Sequence, residues 1–244
     1  MRLLVLSSDF PRPDKASGDL RLYTILQLLA GKHDVVYCAI DNNGLEKKPD
    51  EDDVLLSAIG IKPGSGNLFE TLRVFQPELV WFEFYYLALS FGSLVRRQLP
   101  RALQVVDSVD VHFNRLAARA RLTGSKPDQD RAAAVRGQEL AAYASADLVL
   151  AVSEDDKRIL LEALPALAVD VVPNIHRIPP FPDFGKRRFG ELIFIGNFGH
   201  EPNVDAVKYF CKDVLPLITA RRPEVVLKII GSNSTPDIAA LAGQ

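Results

Sequence analysis

The sequence is poor in the residues that build disulfide, metal and redox sites. It has two cysteines, one methionine, one tryptophan and four histidines in 244 residues. Cys38 and Cys211 lie far apart, and Cys38 sits in an apolar run. That argues against a structural disulfide and fits a reducing cytoplasm, while two thiols alone do not make a zinc site. His33, His112, His176 and His200 show no metal-ligand spacing. No apolar run approaches the ~20 residues of a membrane-spanning helix, and the stretch after Met1 is too short for a signal peptide. The loop after the first strand has no Gly-x-Gly-x-x-Gly and no Walker A run, which argues against a dehydrogenase-type dinucleotide site and an ATPase phosphate loop. Neither a Gly-x-Ser-x-Gly elbow nor a Cys–His pair is visible. A net charge of −2 points to no nucleic-acid partner.

What is present is an alternation of short apolar runs and amphipathic stretches. Strands are expected at Arg2–Ser7, Val35–Ile40, Leu79–Phe82, Leu103–Val106, Asp147–Val152 and Val169–Val172. Helices are expected from Gly18 to Leu29, over Val54–Ile59, Leu68–Phe75, Tyr85–Gln98, Asn114–Leu122 and Gln129–Ala144, and after the cap Ser153. Asp41–Asp53 reads as loop, Asp107–His112 as the loop leaving the fourth strand, and Thr123–Pro127 as a helix break. This order predicts an α/β fold with a Rossmann-like, doubly wound parallel sheet over residues 1–174. Residues 175–190, with Pro179, Pro180 and Pro182, read as a linker. Residues 191–244 open a second unit. There Leu192–Ile195 reads as a strand buried on both faces, Gly196 and Gly199 as a tight turn, and Asn203 as the cap of a helix reaching Ala220. A strand over Val225–Ile230 and a helix start near Pro236 follow.

Ligands of open parallel sheets bind outside the carboxyl ends of the strands. Gly18, at a helix start, either makes a turn or lets backbone N–H groups approach a phosphate. Asp107, Asp110 and His112 stand in the loop after the fourth strand, where the histidine can meet a sugar hydroxyl or lie incidentally in solvent. Glu83, followed by Phe84, Tyr85 and Tyr86, offers a carboxylate and rings to a polar ligand, or packs on the sheet. Gly196, Asn197 and Gly199 admit a diphosphate to the backbone, or simply turn the chain. Asp128 and Asp130 match a bare Asp-x-Asp pattern but open a helix, and capping accounts for them. From Arg96 to Arg136 there are nine basic residues against four acidic ones. This basic excess is either a solvated surface or a peripheral contact with an anionic membrane.

Several of these stretches together resemble a known family. They are the N-terminal strand with its Asp-Phe-Pro loop and Gly18, Val105–His112, Glu139 through Tyr143, Ala146 and Asp147 to Ser153–Glu154, Val171–Asn174, and Phe194–Ala206. The chain resembles the retaining GT-B-fold glycosyltransferases of family 4. The resemblance implies two Rossmann-like domains facing across a cleft, with residues 1–174 on the acceptor side and 191–244 as a truncated nucleotide-sugar-binding unit. It implies transfer from a nucleotide-sugar to an acceptor with retention, without a metal or other cofactor. By position, His112 matches the family's active-site histidine, and Gly18 and Gly196 match its glycine loops near the diphosphate. The loop after Gly196 lacks the family's Arg and Lys, and the family's Glu-x7-Glu pair is not reached by Gln244. The chain by itself is therefore expected not to turn over. A non-catalytic sugar- or partner-binding module, and a sugar-nucleotide epimerase on the same fold, are the rival expectations.

Overall fold

Successive side chains of a strand point to opposite faces, and in the first part of this chain both faces are buried. Leu4 and Leu6 join Val36, Val80, Phe82, Val106 and Val149 in one core, while Leu3 and Val5 join Val35, Tyr37, Trp81, Val105 and Leu150 in another. That is the burial expected of a parallel sheet covered on both sides. The computed structural model describes residues 1–41, 45–48, 54–176, 178, 180–181 and 183–241. The chain divides into two compact units, Met1–Arg177 and Ile178–Gln244.

The first unit holds seven strands: β1 (Arg2–Ser7), β2 (Asp34–Ala39), β3 (Lys62–Pro63), β4 (Leu79–Glu83), β5 (Leu103–Asp107), β6 (Leu148–Ala151) and β7 (Val169–Val171). They pair in parallel in the order β3-β2-β1-β4-β5-β6-β7. The helices are α1 (Ser17–Ala30), α2 (Val54–Ala58), α3 (Leu68–Phe75), α4 (Tyr85–Gln98), α5 (His112–Thr123), α6 (Lys126–Ala144) and α7 (Glu154–Ala163). Leu22, Ile25 and Leu26 of α1 enter the second core, and Leu87, Val95, Ala142 and Tyr143 of α4 and α6 enter the first. The strand order reverses between β1 and β4, and a ligand crevice is expected at that point.

The departures from the sequence reading are local. The edge strand β3 has two residues, too few to leave an apolar pattern, and its Pro63 is tolerated at a sheet edge. Helix α5 starts at His112 rather than Asn114, so His112 belongs to a helix N-terminus and not to the preceding loop. Helix α6 starts at Lys126: Pro127 sits in its first turn, where a missing N–H costs nothing, instead of breaking the chain. Ser125 caps α6 by accepting from the Asp128 N–H. Asp128 accepts from the Thr123 hydroxyl at 2.8 Å and Asp130 pairs with Lys126 at 2.8 Å. Among the described residues no group of metal-ligating side chains exists. Ser153 caps α7 through the Asp156 N–H at 3.1 Å. Positions 42–44 and 49–53 of the expected loop lie outside the described residues, as do Arg177, Pro179 and Pro182 of the expected linker and residues 242–244.

The second unit contains β8 (Glu191–Ile195) and β9 (Val226–Ile230), paired in parallel, with α8 (Glu201–Tyr209), a π turn over Phe210–Val214, α9 (Leu215–Thr219) and α10 (Pro236–Ala239). Two expectations fail here. The run Leu192–Ile195 is not buried on both faces, for Ile193 and Ile195 are 58% and 75% exposed. Phe194, on the other face, packs against the small core of Phe198, Val207 and Ile238. Asn203 is not a cap: it lies inside α8, and its Nδ2 donates to the Asn197 carbonyl at 3.0 Å. The helix expected to run to Ala220 does extend without a break to Thr219, with the π turn in its middle.

Candidate functional site

Ser7 ends β1 and Glu83 ends β4, side by side at the reversal point of the sheet. The Ser7 hydroxyl donates to Glu83 Oε2. Between them and the start of α1 lies a cavity of about 180 Å³, lined by Ser7, Ser8, Asp9, Phe10, Gly18, Asp19, Glu83, Phe84 and Val109 among others. A β-carbon placed on Gly18 would meet only Val109 Cγ1, at 3.8 Å. Gly18 therefore leaves the cavity open rather than serving a strained turn. Glu83 is nearly fully buried, and burial pushes its carboxyl up to about 8, with the Ser7 bond pulling the other way and Asp107 adding to the rise. Burial also raises Asp19, against the pull of the Arg12 N–H.

Two residues beside this cavity hold backbone conformations that side chains disfavour. Phe84 has φ 71° and ψ 149°, a region almost restricted to glycine, and Val109 is β-branched with φ 56°. Such strain persists only where neighbours over-determine it. For Val109 the neighbour is Asp107, whose Oδ1 accepts the Val109 N–H at 3.3 Å.

Asp107 is the register partner of Glu83 and is fully buried. Its Oδ2 accepts from Arg21 Nη1 at 2.6 Å, and Arg21 also donates from Nε and Nη2 to the Val172 carbonyl at 3.0 and 2.9 Å. Burial pushes the Asp107 carboxyl up and Arg21 opposes it. Asp107 thus acts inside the fold, anchoring Arg21 of α1, which in turn bonds the segment leaving β7. Asp110 sits apart, half exposed and paired with Arg115 at 2.6 Å.

His112 is the first residue of α5. Its Nδ1 lies 3.0 Å from the Asp110 carbonyl. Its ring meets Phe84 and Tyr85 edge-on, with centroids 5.8 and 5.4 Å away. Since Phe84 also lines the cavity, His112 is one ring removed from it. Structure thus brings Gly18, Glu83 and Asp107 together, sets His112 next to them and leaves Asp110 at the surface.

Gly196, Asn197 and Gly199 form the turn after β8 in the second unit. Its N–H groups are used internally: Gly196 N donates to Ile230 O, Phe198 N to Ser232 O, His200 N to Asn197 O, and Gly199 N to Asn197 Oδ1 at 2.8 Å. The glycine this turn depends on most is Gly231, which the sequence reading missed. A β-carbon there would stand 1.7 Å from the Gly196 carbonyl oxygen. Because the obstacle is backbone, Gly231→Ala is expected to destabilise the second unit by about 1–3 kcal/mol or more. Amide hydrogen exchange of β8 and β9 measures this, and unchanged protection would refute it.

Arg21 and Glu139 were likewise missed as site residues. The signal for Arg21 was its place beside Leu22 and Ile25, on the apolar stripe of α1. A charge on such a stripe needs a buried partner. In the basic stretch, Arg96, Arg115, Arg119 and Lys126 pair with Asp147, Asp110, Asp128 and Asp130, and Arg136 lies over the Phe113 ring.

No protein-family model matches the chain, and no curated protein matches it. Among solved structures, a sucrose-phosphate synthase from Thermosynechococcus elongatus is similar, with a TM-score of 0.57 and 10% identity over 99% of this chain and 73% of that one. The fold is that of a Rossmann-like GT-B domain. At this identity the likeness speaks for the fold alone. Within the GT-B fold, the cavity of Ser7, Gly18 and Glu83 occupies the carboxyl-end crevice where open α/β sheets hold ligands. No helix among the described residues is long and apolar enough to cross a membrane.

Proposed function

We propose that the chain is the acceptor-side domain of a glycosyltransferase, with the start of its nucleotide-sugar side, and that the enzyme transfers a sugar from a nucleotide-sugar to an acceptor with retention and without a metal. The observation that supports this best is the cavity at the strand-order reversal of a GT-B-type sheet, flanked by two strained residues and by His112. In this reading Gly18 and Glu83 line the substrate crevice, Asp107 holds its wall in place, and His112 meets the transferred sugar. Gly196, Asn197 and Gly199 lie on the nucleotide side. Arg97, Arg101, Arg121 and Arg131, which have no ion-pair partner among the described residues, are the candidates for an anionic membrane contact.

The test is a transfer assay on the full gene product with a panel of nucleotide-sugars, reading nucleotide release and the anomeric configuration of the product. In an active preparation, His112→Ala is expected to lower turnover about 100-fold while changing the unfolding free energy by less than about 1 kcal/mol. Unchanged turnover removes His112 from the site.

A second reading, a non-catalytic binding module of the same fold, is favoured by the turn after β8. Its N–H groups at Gly196, Phe198, Gly199 and His200 already have partners, so it offers little to a diphosphate. Saturable sugar binding without nucleotide release in the same assay would select this reading.

A further inference from the structure

Helix α5 begins without help from its own sequence. Its N-cap residue, Val111, has no side chain able to accept, and no side-chain cap bond is made there. The first N–H groups of a helix need acceptors. Here they come from a different helix. Glu139 of α6 is fully buried and accepts from the His112 N–H at 3.1 Å through Oε1 and from the Phe113 N–H at 2.7 Å through Oε2. The Tyr143 hydroxyl donates to Oε1 at 2.7 Å. A buried carboxylate with three donors is held in one place, and it holds the first turn of α5 in turn.

This arrangement reaches the imidazole itself. The Asp110 carbonyl can only accept, so the His112 Nδ1 at 3.0 Å must be the donor. The same Nδ1 lies 3.9 Å from Glu139 Oε1, and a carboxylate at that distance favours the proton on the nitrogen nearer to it. The other ring nitrogen, Nε2, has no partner among the described residues, and the ring remains partly open to solvent. A histidine's reactive nitrogen is decided by what its other nitrogen bonds.

We propose that Glu139 is a positioning residue that sets the His112 backbone and holds its ring as the Nδ1–H tautomer, so that Nε2 meets the ligand as an acceptor for a hydroxyl group. This rests on the reading of His112 as a site residue and adds the chemistry it presents: a hydroxyl donor, such as a sugar offers, rather than a phosphate oxygen.

The experiment needs no substrate. Long-range proton–nitrogen correlation spectra of the histidine side chains are recorded on the full chain at about pH 8.5, some two units above the ordinary imidazole value. His112 is assigned from its loss in His112→Ala. The wild type is expected to show Nδ1 protonated and Nε2 bare. Tyr143→Phe, which keeps the carboxylate, should leave that pattern intact. Glu139→Gln cannot accept both N–H groups, and its two ring nitrogens should shift toward each other as the tautomers mix. Should Glu139→Gln not fold, Glu139→Asp draws the charge back by one methylene and is expected to give the same mixing. An Nε2–H tautomer in the wild type, or unchanged His112 signals in a folded Glu139 variant, overturns the proposal and leaves Glu139 as a helix cap only. A failed transfer assay would not alter these signals, so the two readings fail separately.

Discussion

Replacing Arg21 with methionine should lower the unfolding free energy of the first unit by about 3–5 kcal/mol at pH 7.5. The guanidinium is 1% exposed and Asp107 is not exposed at all. Without Arg21, Asp107 Oδ2 and the Val172 carbonyl both lose their donors, and the buried charge is no longer offset. The loss should shrink at pH 5, where Asp107 can take up a proton instead of remaining a lone buried charge. Arg21→Met combined with Asp107→Leu should cost clearly less than the two single changes summed, since neither partner is left behind. Trp81 is the sole tryptophan and is buried in the second core of this unit, so its fluorescence in a urea titration reports on the right transition. A loss below about 1 kcal/mol for the single variant would show that the pair is not a structural tie.

Glu83 should give the chain a stability that declines as the solution becomes more alkaline. An unfolded glutamate releases its proton near its model value of 4.5, whereas the buried Glu83 carboxyl holds its proton up to about 8. Its protonated form is therefore favoured by folding. The contribution is complete below about pH 4.5, falls through the interval above it, and is lost once the pH passes about 8. Over that span the difference is on the order of a few kcal/mol. Glu83→Gln keeps an acceptor for the Ser7 hydroxyl and removes the titration. Urea midpoints for both proteins at pH 5, 6.5 and 8 should diverge in slope, the variant being the flatter. Parallel slopes would rule out a protonated Glu83. The same shift bears on the cavity: near neutral pH Glu83 is a carboxylic acid, able to donate to a ligand oxygen as well as accept from it.

Strands with two buried faces were readable because mostly apolar side chains fill them. Runs such as Leu3–Leu6 and Leu103–Val106 became β1 and β5 within a residue or two. The two-residue β3 was not readable, because a strand that short carries no periodicity. The run Leu192–Ile195 misled for the opposite reason: apolar composition predicts burial, but a two-stranded sheet covers only one of its faces.

The residues around the cavity were legible as chemistry-bearing types after strand ends, and Glu83, Asp107, Gly18 and His112 were all visible that way. Their roles were not. Asp107 and Asp110 read as equivalent loop carboxylates three residues apart. The fold buries one against Arg21, 86 positions away in sequence, and leaves the other at the surface with Arg115.

The sequence by itself determined the alternation of strands and helices, the parallel Rossmann-like sheet and the loops after its strands, where open α/β sheets hold ligands, because periodicity and turn residues are local properties. Only the tertiary structure decided which distant groups meet within each unit. Arg21 reaches Asp107 and Val172, Glu139 reaches the start of α5, and Gly231 yields its space to the Gly196 carbonyl. Each of these depends on a donor, an acceptor or an excluded volume contributed by a segment distant in the chain, and no local pattern encodes such a partner.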